Sequence, residues 1–171
     1  MHSLAKLELM LLTRVIQIIV DKYSPYKKYL ERDFYVDSNI GKSTAESCIQ
    51  DIERSRDRHI LHYRQADNTC CHRYQELPIW SAVEAWSFGT LSKVIERGAQ
   101  GSLTESVALS TGVAKAGFAS RIRALVYLRN RCAHHSRLWN HSVIDAGSTP
   151  NNVRVKAKRL AGQFEPRSVV D

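Results

Sequence analysis

Arg123-Ala124-Leu125-Val126-Tyr127-Leu128-Arg129-Asn130-Arg131-Cys132-Ala133-His134-His135, closed by Ser136-Arg137-Leu138-Trp139-Asn140, is the stretch whose periodicity decides the fold. Phe118, Ile122, Leu125 and Val126 recur at steps of three and four, the spacing of one face of an α-helix. Followed further, that face meets Arg129 and then Cys132 and Ala133, with two histidines just beyond. The pattern predicts a helix over residues 114–135, and an arginine in its packing seam requires a partner.

Outward from this helix, the same period recurs. Leu4, Leu7, Leu11, Val15, Ile18 and Ile19 predict an opening helix over residues 4–22, stopped by Ser24-Pro25. Residues 24–40 read as a short helix and a loop. Ser43 or Thr44 caps a helix over residues 43–57 with Glu46 in its first turn, and residues 59–63 either extend it or form a short helix. Glu76-Leu77-Pro78 starts a further element, whose single face carries Trp80, Glu84, Phe88, Leu91 and Ile95 until Gly98 ends it. Ser102-Leu103-Thr104-Glu105 opens a short helix that Thr111-Gly112 breaks. The expectation is an all-α bundle over residues 1–145. A basic tail follows over residues 146–171, with Arg154, Lys156, Lys158 and Arg159, where Val153 and Val155 leave a strand open.

A chain of 171 residues with 43% apolar residues holds one domain with a real core. Its formal charge of +8 favours a polyanionic partner, without choosing among RNA, DNA, a membrane surface and an acidic protein. The apolar segment over residues 7–20 is interrupted by Glu8, Thr13, Arg14 and Gln17, so it reads as a core helix rather than a membrane span or secretory signal. Cys48, Cys70, Cys71 and Cys132 show no disulfide framework, which points to a reducing cytoplasm. Cys70-Cys71-His72 is poorly spaced for a tetrahedral zinc. No cofactor is expected.

Two readings of the seam stand at this stage. In one, Arg129 and Glu84, each on the inward stripe of a long helix, form a structural ion pair. In the other, the seam opens onto a cleft where Arg129 reaches a ligand phosphate and Glu84 holds a catalytic side chain in place. His134 lies five residues from Arg129, about 140° around the helix, so one regular helix does not easily aim both side chains at a point; a distorted last turn, or a second copy of the helix across a twofold axis, would gather them at one groove. RNA strand cleavage suits such a groove. A histidine with a pKa near neutrality moves the proton of a ribose 2′-hydroxyl or of the departing 5′-oxygen, while an arginine fork stabilises phosphoryl charge. Asn130 could orient the phosphate or His134, Arg131 and Arg137 could hold the flanking backbone, and His62, Tyr63 and Arg64 could line an RNA groove. The plainer alternatives are helix capping by His134 or His135, a hydrophobic lid for Trp139, and solvated polarity for the rest.

At residues 128–140 the chain resembles the Abi-like family of bacterial abortive-infection proteins, part of the wider HEPN superfamily. Arg129 and His134 match the superfamily's pattern of Arg, polar residue, three variable residues and His. Leu77-Pro78-Ile79-Trp80, Glu84, Ser87-Phe88-Gly89-Thr90-Leu91-Ser92, His62-Tyr63-Arg64 and the leucine-rich opening helix also look like the family's, so the resemblance spans most of residues 4–145. It implies an all-helical HEPN-like bundle and a homodimer with the motif helices at the subunit interface. It also implies metal-independent endoribonuclease activity in antiphage defence or as a toxin, with a protein or RNA antitoxin as a partner. Arg129, Asn130 and His134 carry over as the catalytic motif, with Glu84 and His135 in support and Arg131, Arg137, His62 and Arg64 against RNA. Family members usually extend further at both ends, so the chain reads as trimmed. A noncatalytic RNA-binding or antitoxin-interacting helical dimer is the alternative.

Overall fold

Leucine and isoleucine spacing in the opening segment produces α1 (His2–Lys22), which buries Leu11, Val15, Ile18 and Ile19 and half-buries Leu7, Leu12 and Ile16. The computed structural model describes residues 2–38, 41–64, 73–134 and 153–156. After the expected Ser24-Pro25 stop, two short 3-10 turns, Lys28–Leu30 and Arg32–Phe34, replace the helix and loop expected there. They seat Tyr29, Leu30, Phe34 and Tyr35 in the core. The Tyr29 hydroxyl donates to the Leu77 carbonyl at 2.8 Å and the Tyr35 hydroxyl to the Tyr29 carbonyl at 2.6 Å, so neither buried phenol is orphaned.

Six further helices follow: α2 (Thr44–Arg54), α3 (Arg58–His62), α4 (Ile79–Ala85), α5 (Phe88–Arg97), α6 (Leu103–Ser110) and α7 (Phe118–Ala133), with a 3-10 turn at Ala99–Gly101 between α5 and α6. α2 begins where its cap residues demand. Ser43 Oγ accepts the Glu46 N–H at 3.1 Å, and the Glu46 carboxylate accepts the Ser43 N–H at 2.9 Å. α5 lies at the centre, against α1, α2, α6 and α7. Among the described residues there is no strand, only an isolated antiparallel bridge between Tyr35 and Gly98.

The element expected as one stripe from Trp80 to Ile95 is two helices. Trp86 and Ser87 are extended, and Ser87 opens α5 by accepting the Thr90 N–H at 3.1 Å. Asp51, 5% exposed on α2, explains the break: it accepts the Ser87 N–H at 2.9 Å and the Thr90 hydroxyl at 2.5 Å, and it also pairs with Arg54. Burial pushes the Asp51 carboxyl up, but the bonds from Thr90 and Ser87 outweigh it and hold the carboxyl below its ordinary range. The opposite ends of the two helices are clipped in the same way. Asp37 accepts the Thr44 N–H at 2.8 Å, the Thr44 hydroxyl at 2.6 Å and Arg97 Nη1 at 2.9 Å. α2 and α5 are therefore fastened at both ends by carboxylates, with Cys48 buried between; burial pushes that thiol up to about 12.

α7 is shorter than the expected span of residues 114–135. Gly117 precedes it in the left-handed region at a φ of +68°, and Arg121 reaches back to the carbonyls of Ala114 and Ala116 at 2.7 and 2.8 Å. Phe118 and Ile122 are buried and Leu125 and Val126 half-buried, as the period requires. Residues 153–156 are helical and exposed, not a strand. No helix of the described residues is long and apolar enough to cross a membrane.

Candidate functional site at the end of the seventh helix

The apolar stripe that seats α7 is spent after its first two turns. From Leu125 to Arg129 every residue is half-buried, and Asn130, Ala133 and His134 are exposed. The helix thus leaves the core at a slant and delivers its polar end to the surface. His134 closes it as the C-cap, with its backbone N–H donating to the Asn130 carbonyl at 3.0 Å. Arg131 sits in the last turn, where the helix dipole favours positive charge.

Arg129 is 41% exposed, at the rim of the seam rather than inside it. Its Nε lies 3.5 Å from Oε2 of Glu8 on α1, whose side chain is 19% exposed, and its Nη1 donates to Asn130 Oδ1 at 3.5 Å. The Arg131 guanidinium lies 6.0 Å from the centre of the Tyr127 ring. On α7 the structure therefore sets the Arg129 side chain against Asn130, with His134 capping the helix five residues beyond Arg129. His135, Arg137 and Trp139 lie outside the described residues.

The expected meeting of Arg129 with Glu84 is replaced, within the chain, by Arg129 with Glu8. Glu84 is 64% exposed on α4 and lies 3.3 Å from His59 Nε2 on α3. The reason is the break at Ser87. The period that runs through Phe88, Leu91 and Ile95 does not continue backward into α4, which buries Ile79, Ala82 and Val83 instead and leaves Trp80 exposed. His62 and Arg64 are exposed near the end of α3, with the His62 ring edge-on to Tyr63 at 5.3 Å. Glu8 itself was open to detection: Leu4, Glu8, Leu11, Val15, Ile18 is an unbroken helical stripe in which one position is an acid.

Among the described residues, no group of three His, Cys, Asp or Glu side chains is gathered so as to hold a metal ion. Cys48 and Cys132 are free thiols, and Cys70-Cys71-His72 lies outside the described residues.

The described residues form an all-α bundle with an arginine, an asparagine and a capping histidine at the end of one helix. The chain belongs to the Abi-like protein family, whose sequence model matches residues 1–140. No curated protein and no solved structure matches the chain.

Proposed function

We propose that this protein is a metal-independent endoribonuclease of the HEPN kind that acts as a homodimer in antiphage defence or as a toxin. The single observation that carries the reading is the run from Arg129 to His134, inside the family-matched residues, at the exposed end of α7. In the reaction a ribose 2′-oxygen attacks the adjacent phosphorus as its proton leaves to a His134 imidazole. The bond from phosphorus to the 5′-oxygen breaks as that oxygen takes a proton from the imidazolium of the second copy's His134, leaving a 2′,3′-cyclic phosphate and a 5′-hydroxyl. Arg129 stabilises the charge that develops on the phosphoryl oxygens, and Asn130 orients the phosphate. Arg131, Arg137, His62 and Arg64 hold the flanking RNA, with Glu84 and His135 in support.

Dimerisation is part of the reading. On an ideal helix Arg129 and His134 are about 140° apart, so a second α7 supplies the other side of a groove in which the proton-transferring histidines and the charge-stabilising arginines meet one phosphate. The half-buried Leu125, Val126, Tyr127 and Leu128, with exposed Leu9 and Met10 on α1, supply apolar surface for it. The same reading takes residues 1–145 as the catalytic domain, residues 146–171 as a basic tail, the cytoplasm as the site of action and an antitoxin as the neutralising partner.

The test is cleavage of a panel of transfer, messenger and structured RNAs by purified protein in excess chelator, with end-group analysis of the products. Wild type should cleave. His134→Ala should lose activity by roughly a thousandfold while keeping its helical circular dichroism. Equal cleavage by both proteins overturns the assignment, and salt-sensitive RNA binding without product marks a noncatalytic binder.

A further inference from the structure

Glu8 is the one acid in the inward stripe of α1, between Leu4 and Leu11. Its side chain is 19% exposed, a costly position for a charge unless a cation meets it. That cation is Arg129. The residues that follow Glu8 make its support rigid, because Leu11, Val15 and Ile19 are completely buried and hold α1 against α4, α5 and α6. Arg129 has no comparable anchor of its own, since α7 around it is half-buried.

The atom that Glu8 engages gives the contact its meaning. A guanidinium is planar with five N–H donors, and the two contacts that Arg129 makes on described residues use Nε, toward Glu8, and Nη1, toward Asn130. A carboxylate 3.5 Å from Nε, in an ion pair, and an amide oxygen 3.5 Å from Nη1 both draw on the guanidinium and bias the direction of its terminal edge. A terminal edge biased to one direction favours one non-bridging phosphoryl oxygen over the other.

We propose that Glu8 is a positioning residue for Arg129, holding the guanidinium by Nε so that its terminal edge meets one non-bridging oxygen of the scissile phosphate. This rests on the ribonuclease reading above. Glu8 touches neither RNA nor the reacting atoms; it acts through the arginine.

The experiment compares wild type, Glu8→Gln and Glu8→Asp on a short RNA bearing a single phosphorothioate, as separate Rp and Sp isomers, at the cleaved linkage. Positioned against one oxygen, Arg129 makes the two isomers react at different rates. Glu8→Gln keeps the shape but loses the charge, so kcat should fall roughly 10- to 100-fold with KM nearly unchanged, and the Rp/Sp rate ratio should collapse toward one. Glu8→Asp keeps the charge with a shorter reach and should retain part of the ratio. The ratio does not depend on how much of the protein is folded, so a merely structural role would leave it untouched. An active wild type whose Rp/Sp ratio is unchanged in Glu8→Gln overturns the positioning role and leaves the ribonuclease reading intact. A wild type that cleaves neither the thio-substituted nor the unmodified RNA overturns both.

Discussion

The α2–α5 pair and the last two turns of α7 use charge in opposite ways. Between α2 and α5, Asp37 and Asp51 are largely covered, each accepts bonds from a backbone N–H, a threonine hydroxyl or both, and each is met by an arginine. Those carboxylates set where helices start and stop. At the end of α7 Arg129 is 41% exposed, its contacts are long at 3.5 Å, and no helix boundary depends on its side chain. Polar groups closed into a network specify the fold, whereas polar groups left at the rim stay available to a ligand.

The contrast breaks most visibly under substitution. His134→Ala should silence cleavage with the fold intact. Asp51→Ala should instead cost about 3 kcal/mol of stability, because the Ser87 N–H and the Thr90 hydroxyl lose their buried acceptor together. Urea denaturation measures that cost, and a loss below about 1 kcal/mol would mean that the network does not hold the α4–α5 break. A smaller effect belongs to Gly98, at the end of α5. A Cβ there would lie 2.5 Å from the Val94 carbonyl oxygen and 2.8 Å from Leu103 Cδ2, so Gly98→Ala should destabilise by about 2 kcal/mol in the same assay. Replacing Gly89, whose nearest neighbour would be Ser87 Oγ at 3.7 Å, is the control for lost glycine alone.

A stripe and a stop signal made α1 legible, cap and break residues made α2 and α6 so, and the period alone marked the buried face of α7. Ser43 and Glu46 declared the start of α2 through a reciprocal pair three residues apart. The α4–α5 break was not legible, since its cause, Asp51, is far along the chain from Ser87 and its effect is a bond to a backbone amide. That hidden break carried the error in the site: with one helix assumed, Glu84 shared a face with Phe88, and Glu8 went unnoticed as the acid opposite Arg129. The identity of the arginine was readable from the seam, but its partner required tertiary structure.

The mildest test of the contrast is acidity. The Asp51 carboxyl is raised by burial but lowered more by Thr90 and Ser87, and that of Asp37 is likewise lowered, by Thr44 and Arg97, against its burial. A carboxyl whose folded pKa lies below its unfolded value of 3.8 contributes stability that is complete above that value and is lost as pH falls through the lower, folded one. Wild type should therefore hold its stability from neutrality to about pH 5 and lose it progressively below about pH 4. Asp51→Asn removes one of the two carboxyls, so the stability gap between wild type and variant should be constant from pH 7 to about pH 5 and shrink by pH 3. Denaturant titrations at each pH measure the gap. A gap still undiminished at pH 3 would show that the fold does not prefer the ionised Asp51, and the α2–α5 clip would then owe its strength to shape and hydrogen-bond geometry rather than to charge.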